Sequence, residues 1–425
     1  RAQATLRRDR PDGSDRLTGW FGRDRAYDDL AAGLVPAALH ADTWVAGARA
    51  SQHTRLDERA TLTIGLDVDG AWTRLERDGS LTIPAREGDP HVFGQPPGDD
   101  VATDRWRATT VDAAGHAALD VRLRRVTATV GLRADGWLLA ASRLTPRIGS
   151  TPPIASQDVD LTFDPRLSVQ VSITGAVAVH VDGGRYHQAR DPADTSAVFG
   201  TPGLAREQAW HATAGAQWRH APFAVEVAGY ARLLDELVAR DPSPTPLVAH
   251  ALTQDGSGRV VGAQLTVRAS GWHGLSGWLA YGWSRSTRRD AAGADPRLFD
   301  GDQPHDLVAA GAWTRGAWTL GGRLRASSGE PRTDVVGAYF DSRSGRYQPV
   351  RGPTNGVRLP AYAAIDLRGE RRLRVGPARV AAYLEVQNVT ARANAEELVY
   401  SADFRERGTL TGLPFLALAG VEVQP

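Results

Sequence analysis

Hydrophobic and polar residues alternate along much of this chain, and the alternation is clearest between Gly258 and Leu324. A period of two places successive side chains on opposite faces of a sheet, so this stretch predicts four strands. Short turns, at Ser270–Gly274 and around Arg315-Gly316, join the strands into two hairpins. A longer polar connection separates the two hairpins. The apolar face of the first strand is formed by Val261, Ala263, Leu265 and Val267.

Similar alternation continues on both sides of these hairpins, most clearly over Ala60–Leu75. The pattern predicts about 16 strands that come in pairs, with tight turns and long connections alternating between them. That arrangement is typical of an antiparallel transmembrane β-barrel. Leu233–Val238 is interpreted as part of a loop. The other predicted strands lie at 41–50, 111–124, 126–139, 158–172, 174–181, 210–218, 223–232, 361–372, 379–389 and 413–423.

This pattern divides the chain into a polar N-terminal segment or loop over residues 1–40 and an all-β barrel over residues 41–425. A charged side chain on the lipid face of a barrel costs about 2–4 kcal/mol at the membrane midplane. The Arg, Asp and Glu residues at mid-strand are therefore predicted to line water or to pair with one another. Long outer loops are expected at 76–107, 184–207, 285–304 and 328–360.

Composition agrees with a barrel that has a wet interior. The hydrophobic content of the 425 residues is 42%, and a barrel of this kind needs only one apolar face per strand. The formal net charge of +1 provides no global basic field for binding nucleic acid. All 50 basic Lys or Arg residues are arginine. The absence of cysteine excludes disulfides and thiolate metal sites.

Candidate chemistry is sparse, and the sequence predicts neither an enzyme nor a cofactor. No Gly-x-Ser-x-Gly motif occurs, so a nucleophile elbow is not indicated. His180 and His187 lie close in sequence, but they are interpreted as polar lumen or loop residues rather than metal ligands. Asp300, Asp302 and Asp306 resemble a calcium loop in outline. They lack its distal glutamate, so turn chemistry is the preferred interpretation.

Aromatic and arginine residues in the predicted loops are the candidates for binding a small-molecule ligand. An aromatic ring offers a stacking surface, and arginine offers charge to an anionic ligand such as a chelate. Solvated loop charge is the alternative interpretation for the arginines. The candidates are Arg185, Tyr186, His187, Phe199, Tyr339, Arg346 and Tyr347.

Five segments in order along the chain resemble the C-terminal barrel of the TonB-dependent outer-membrane receptor family. The most specific is Phe299–His305, which resembles the family's "DQ(R/P)H" segment before a late strand. Phe199–Glu207 resembles "NPxLxPE", with Thr201 and Arg206 replacing the Asn and Pro. Gly258–Leu265 resembles "GxxxGxE", with Gln in place of Glu. The remaining two segments are Gly184–Gln188, similar to a glycine–aromatic strand end, and Leu384–Val389, similar to "VxNLxN".

The resemblance implies a 22-stranded barrel filled by a plug domain and coupled to the inner membrane through a TonB box. Neither plug nor TonB box is seen in this sequence, so the chain is expected to be the C-terminal barrel portion of such a receptor or a plugless relative. The expected location is the outer membrane of a Gram-negative bacterium. The expected partners are outer-membrane lipid, a small-molecule ligand and, if the full-length protein carries a plug, the TonB system.

The implied function is uptake of a scarce nutrient such as a metal chelate of the siderophore or cobalamin class. Two alternatives remain open at this stage. A plugless, passive pore of porin type fits a count of about 16 strands. A soluble all-β binding protein is the other alternative.

Overall fold

A computed structural model describes residues 1–29, 37–82, 85–90, 92–93, 100–145, 154–243 and 247–424. Twenty-four strands and one 3-10 helix, Pro192–Thr195, occur in these residues. In the described part of the chain, no helix has the length and apolar character needed to cross a membrane. The strands are β1 (Ala2–Arg10), β2 (Gly13–Asp29), β3 (Ala37–Arg55), β4 (Ala60–Ser80), β5 (Val101–Leu123), β6 (Val126–Arg143), β7 (Ala155–Ser172), β8 (Val177–Gln188), β9 (Glu207–His220), β10 (Phe223–Arg240), β11 (Leu252–Trp272), β12 (Leu275–Arg289), β13 (Arg297–Leu298), β14 (His305–Arg315), β15 (Trp318–Ser327), β16 (Pro331–Arg332), β17 (Val335–Asp341), β18 (Arg346–Arg351), β19 (Val357–Arg358), β20 (Tyr362–Val375), β21 (Ala378–Gln387), β22 (Ala395–Tyr400), β23 (Arg407–Thr411) and β24 (Leu416–Gln424).

Most of these strands form one 18-stranded sheet. Apart from the two-residue β13, each strand of the sheet pairs antiparallel with the next one along the chain, from β1 through to β24. The sheet confirms the predicted all-β, antiparallel fold. Within the described residues, β1 and β24 are not paired with each other. Three small two-stranded sheets lie in the connections: β16–β19, β17–β18 and β22–β23.

The connections between strands differ at the two ends of the sheet. At one end, here called the turn end, the hairpins close through two to four residues, as at Arg124-Arg125 between β5 and β6. Gly316 and Gly376 occupy two of these turns with φ of +60° and +61°, a region that glycine adopts without steric cost. All the long connections leave from the opposite end, here called the loop end.

Three expectations about element boundaries differ from the structure. Residues 1–40, expected to be a polar segment or loop, contain β1, β2 and the start of β3. Leu233–Val238, interpreted as part of a loop, lies within β10, and that interpretation was wrong. The first three expected long connections are shorter than predicted, because β4, β5, β8 and β12 extend further toward the loop end than the apolar alternation shows. The fourth runs from Ser328 to Ala361, as long as predicted to within one residue. Residues 83–84, 91 and 94–99 of the first expected loop lie outside the described residues.

The two faces of the sheet differ in character, as the alternation predicted. On β4, Ile64, Leu66 and Val68 are 43–66% exposed and lie on one face, here called the apolar face. Asp67, between them, lies on the other face and is only 3% exposed. Residues in register on neighbouring strands share a face, so this division extends across the sheet. The second face is here called the polar face.

Charged residues at mid-strand pair with one another on the polar face. Arg133 on β6 donates to Asp67 at 2.5 Å and to Asp135 at 2.8 Å. Asp67 also accepts from Arg49 on β3 at 2.8 Å. These contacts agree with the prediction that mid-strand charges line water or one another. They give the polar face a cross-strand network of arginine and aspartate.

Candidate functional site at the loop end

The connection between β8 and β9, residues 189–206 and here called the inserted loop, is fixed to the polar face by a buried carboxylate. Asp104 on β5 has 0% exposure. It accepts from Arg143 Nε at 2.8 Å and from Ser196 Oγ of the inserted loop at 2.7 Å. The Thr145 hydroxyl donates to it at 3.0 Å. A hydrogen bond to a charged group is stronger than a neutral one, so Asp104 anchors the loop to β5 and β6.

Apolar packing reinforces this anchor. Trp106, two residues beyond Asp104 on the same face of β5, is 1% exposed. Its Nε1 donates to the Pro192 carbonyl of the inserted loop at 3.1 Å. Leu75 and Ala108 complete a small buried cluster with it, and Ala193 of the loop packs against that cluster. The inserted loop therefore lies against the sheet.

Residues 85–90, here called the bridging segment, connect three distant parts of the loop end. Arg86 donates to Asp194 of the inserted loop at 2.5 and 3.0 Å. Asp89 accepts from Arg240, at the end of β10, at 2.8 Å. Glu87 accepts from Arg297 on β13 at 3.0 Å. The bridging segment thus ties the β4–β5 connection to elements up to 210 residues away in sequence.

Electrostatics favour the charged form of Arg86 and of Arg297, the partner of Glu87. Burial alone lowers the pKa of Arg86, but its hydrogen bond and charge interaction with Asp194 outweigh burial and raise the pKa overall. Burial likewise lowers the pKa of Arg297, and contacts with Asp290 and Glu87 raise it overall. Both guanidinium groups therefore stay protonated at every physiological pH.

The β12–β14 and β15–β20 connections are joined through two aspartates of the segment that resembles "DQ(R/P)H". Asp302 is 1% exposed, forms an ion pair with Arg358 on β19, and accepts from the Ser286 amide at 2.6 Å. Asp300 accepts from Asn355 Nδ2 at 2.6 Å. These contacts support the interpretation of the aspartates as structural. Among the described residues, no group of three or more His, Cys, Asp or Glu side chains is placed to hold a metal ion.

The β15–β20 connection is joined in turn to the β21–β24 connection. Asp334 accepts from the Tyr400 hydroxyl at 2.7 Å and from Arg407 at 3.1 Å. Arg332 donates to Glu397 at 2.9 and 3.0 Å. Burial raises the pKa of Asp334, but Tyr400 and Arg407 stabilise the carboxylate more, so the pKa lies below its ordinary value.

This lowered pKa predicts a pH dependence for the contact between the two connections. The stability contributed by Asp334 is fully present above the unfolded-state pKa of about 3.9, and it is lost as the pH falls through the lower folded-state pKa. Hydrogen-exchange protection of residues 331–341 and 395–411 is therefore expected to be equal at pH 7 and pH 5 and to fall below about pH 4. In Asp334→Asn, protection should already be reduced at pH 7. A variant that keeps the full acid step would assign that step to another carboxylate.

The structure places three of the predicted ligand residues at the loop end of β8. Tyr186 packs on His211 in a tilted arrangement, with the ring centroids 4.7 Å apart. His187 Nδ1 lies 2.7 Å from the Asp164 carboxylate, and the His187 side chain is 7% exposed. Arg185 donates to a glutamine of β9 at 2.5 Å. All three side chains already have protein partners on neighbouring strands.

The other four predicted residues fall into two groups. Phe199 lies in the inserted loop and is 4% exposed, with an arginine guanidinium 4.1 Å from its ring centroid. Tyr339, Arg346 and Tyr347 lie together on the exposed β17–β18 hairpin, where Tyr347 packs edge-to-face on Phe340 at 5.3 Å. The structure thus gathers three candidates on one accessible hairpin. A ligand-binding role for all seven residues stays a prediction.

Sequence reasoning missed Asp104, the bridging segment and the arginines that hold it. One signal was present, because Asp104, Trp106 and Ala108 continue the alternation of β5 into a stretch that was interpreted as loop. Arg86, Glu87 and Asp89 carry no such signal. Their partners lie far away in sequence, in the inserted loop, at the end of β10 and on β13.

The fold and this site define a class of protein. A sheet with one apolar and one polar face, whose long connections gather at one end and fold together there, is a transmembrane β-barrel of the receptor type. The chain belongs to the family described as TonB dependent receptor-like, beta-barrel, whose sequence model matches residues 1–389. This match confirms the predicted family, and it contradicts the alternative of a soluble all-β binding protein. A search of curated proteins finds no match.

Several solved structures with a similar fold are receptors and transporters. The ferric citrate transporter FecA in its unliganded form aligns with 99% of this chain and 61% of its own, at 13% identity and a TM-score of 0.71. The ferric yersiniabactin uptake receptor FyuA from Yersinia pestis aligns with 99% of this chain and 59% of its own, at 14% identity and a TM-score of 0.67. The copper transporter OprC aligns with 99% and 64%, at 14% identity and a TM-score of 0.67. This chain spans about three fifths of the length of these structures.

Proposed function

We propose that this chain forms the barrel portion of an outer-membrane receptor that imports a scarce nutrient, such as a metal chelate of the siderophore or cobalamin class, in a Gram-negative bacterium. The family match over residues 1–389 is the observation that carries the proposal. The names of the similar structures refer to ferric citrate, ferric yersiniabactin and copper.

The loop end supplies a means of capturing a solute. The bridging segment, the inserted loop and the later connections are held together largely by ion pairs rather than by a large apolar core. The side chains of these ion pairs are partly buried, with exposures of 9–38%. A bound anionic solute that offers the arginines replacement charge-assisted hydrogen bonds can therefore rearrange these connections. The polar face then lines the path beyond the loop end. Energy for release would come from the TonB system.

The exposed β17–β18 hairpin is the proposed first contact for the ligand. Tyr339 and Arg346 share one face of the hairpin, and Tyr347 packs with Phe340 on the other. Each face therefore offers an exposed aromatic surface to an anionic chelate, and the Tyr339 face adds a positive charge. Replacing both Tyr339 and Tyr347 by alanine is expected to weaken binding about tenfold, equivalent to ~1.4 kcal/mol. Equilibrium dialysis would measure this with whichever of ferric citrate, a ferric catecholate and cobalamin the wild-type chain binds. Val336→Ala, an exposed position on the same hairpin, is the matched control, and equal affinity in the tyrosine variant would assign capture to another connection.

Uptake experiments test the function as a whole. In the host that carries this gene, deleting the gene is expected to abolish accumulation of the radiolabelled chelate, and collapsing the proton gradient is expected to do the same. Accumulation that continues without the gradient would overturn an energy-coupled receptor.

A passive pore of porin type is the second candidate, and the charged, continuous polar face favours it. Conductance in planar bilayers separates the two candidates. A stable open channel from this chain alone would support the pore, whereas silence or irregular leakage would support the receptor.

A further inference from the structure

The apolar face carries a group of exposed arginines at the loop end of β2 to β5. Arg25, Asp42, Arg74 and Arg107 stand in one register row across four neighbouring strands. All four share the apolar face with Trp72, because Arg74 is two residues beyond Trp72 on β4. The outer-face arginine cluster is defined here as Arg23, Arg25, Arg74, Arg105 and Arg107.

The pairing of Arg74 with Arg107 is unusual. These two residues are directly opposite each other on β4 and β5, and like charges in that position destabilise a sheet. Both side chains are exposed. Neither has a hydrogen bond or ion pair to any residue that the structure describes. An anion held between the two guanidinium groups would remove the repulsion.

The acidic residues near the cluster are largely engaged by its other members. Asp42 forms an ion pair with Arg23, whose Nε donates at 2.7 Å, and it lies 4.0 Å from Arg25. Glu76 accepts from Arg105 at 2.5 Å. Asp78, one row further toward the loops, accepts from the Thr103 hydroxyl at 2.5 Å. Five arginines thus face the three acids Asp42, Glu76 and Asp78. Asp42 also interacts with the charge of Arg74, but the group as a whole keeps an excess of positive charge.

Two tryptophans fix the depth of this cluster relative to a membrane. Trp44 and Trp72 are opposite each other in the row immediately on the turn-end side of Arg74, and they are 43% and 48% exposed. Arg23 lies over the Trp44 ring, 5.3 Å from its centroid. Exposed tryptophans of a barrel mark the boundary between hydrocarbon and head groups. The arginines one row beyond it therefore lie at the level of the head groups.

We propose that the outer-face arginine cluster binds the phosphate groups of an anionic lipid in the outer leaflet, with Arg74 and Arg107 as the central pair. Guanidinium groups bind phosphate through paired N–H donors. Hydrocarbon chains of the same lipid would lie along the apolar side chains below, including Leu66 and Val68. The proposal rests on the membrane location that belongs to the proposed function, but it does not depend on which solute the receptor imports.

Lipid titration of the full chain in non-ionic detergent tests the proposal. The probes are phosphatidic acid and phosphatidylcholine with identical acyl chains, with native mass spectrometry to count bound lipid and thermal unfolding to measure stabilisation. Wild type is expected to bind phosphatidic acid at least tenfold more tightly than phosphatidylcholine. The double variant Arg74→Gln/Arg107→Gln should lose that preference. Without lipid, this variant should be at least as stable as wild type, because the repulsion is removed.

A matched double variant controls for general attraction between charges. Arg259 and Arg285 are also exposed on the apolar face at the loop end, but they lie on a diagonal and are not opposite each other. Arg259→Gln/Arg285→Gln is expected to keep most of the preference. An equal loss in both double variants would overturn the proposal, and so would equal stabilisation by inorganic phosphate, which would indicate a free-anion site. If chelate uptake is not observed, the expected lipid binding by the arginine cluster is unchanged. The uptake experiment and the lipid titration therefore test the two proposals independently.

Discussion

Replacing Arg143 by alanine is expected to lower the free energy of unfolding by about 3–5 kcal/mol. The Asp104 carboxylate is fully buried, and Arg143 is its guanidinium partner. Removing that partner leaves a buried charge that is stabilised by the Ser196 and Thr145 hydroxyls and the Arg105 backbone amide, without a counter-charge. The measurement is a urea titration of the chain in detergent micelles, followed by the change in electrophoretic mobility between folded and unfolded barrel.

Two further variants show whether the cost arises from the unpaired charge. Adding Asp104→Asn to Arg143→Ala is expected to recover part of the lost stability, because the buried charge is gone. Arg7→Ala removes an ion pair whose side chains are 68% and 70% exposed, and it should change stability by less than about 1 kcal/mol. Equal effects of Arg143→Ala and Arg7→Ala would show that Asp104 does not carry an uncompensated charge in the variant.

Replacing Trp106 by alanine is expected to cost about 3–5 kcal/mol and to release the inserted loop. The indole is almost completely buried, so its removal leaves a cavity beside Leu75 and Ala108 and breaks the bond to the Pro192 carbonyl. Urea titration gives the free energy. Trypsin cleavage after Arg190, detected by mass spectrometry, reports on the loop, because the Arg190 side chain is only 6% exposed in the folded chain.

Trp106→Phe distinguishes packing from hydrogen bonding at this position. Phenylalanine fills most of the cavity but cannot donate to Pro192, so the part of the cost due to the lost bond should be about 1 kcal/mol. Cleavage after Arg190 should stay slow in this variant. Rapid cleavage in Trp106→Phe would show that the hydrogen bond, and not the packing, holds the inserted loop.

Much of the sheet follows from the alternation of residues along the chain. Ala60–Leu75 was predicted as a strand and forms most of β4. The prediction failed where the alternation of apolar and polar residues breaks down. Asp235 and Glu236 interrupt the alternation of β10 near its loop end, and Glu236 has a φ of +58° at an irregularity of the pairing with β11. Beyond the hydrocarbon both faces meet water, so the pairing of backbones continues without a sequence signal.

The candidate site was much less predictable than the sheet. Arg86 and Asp194 are 108 residues apart, and Asp89 and Arg240 are 151 residues apart. Contacts of this kind depend on where the barrel brings the connections together, and no local period encodes them. Tyr339 and Tyr347 could be named as candidates because they are aromatic residues in a long connection, but the hairpin that presents them was not predicted.

The unpaired edges of the sheet carry a consequence for the direction of its strands. Without the two-residue β13, the large sheet has seventeen strands, and each runs antiparallel to its neighbours. Because seventeen is odd, the two edge strands, β1 and β24, run in the same direction. Joining β1 directly to β24 would therefore make a single parallel seam in an otherwise antiparallel ring. A ring with only antiparallel neighbours has an even number of strands, so it would require an odd number of further strands between these two edges. Whether the total number of strands is odd or even therefore distinguishes a ring with one parallel seam from a ring with only antiparallel neighbours, although both contain the same seventeen strands.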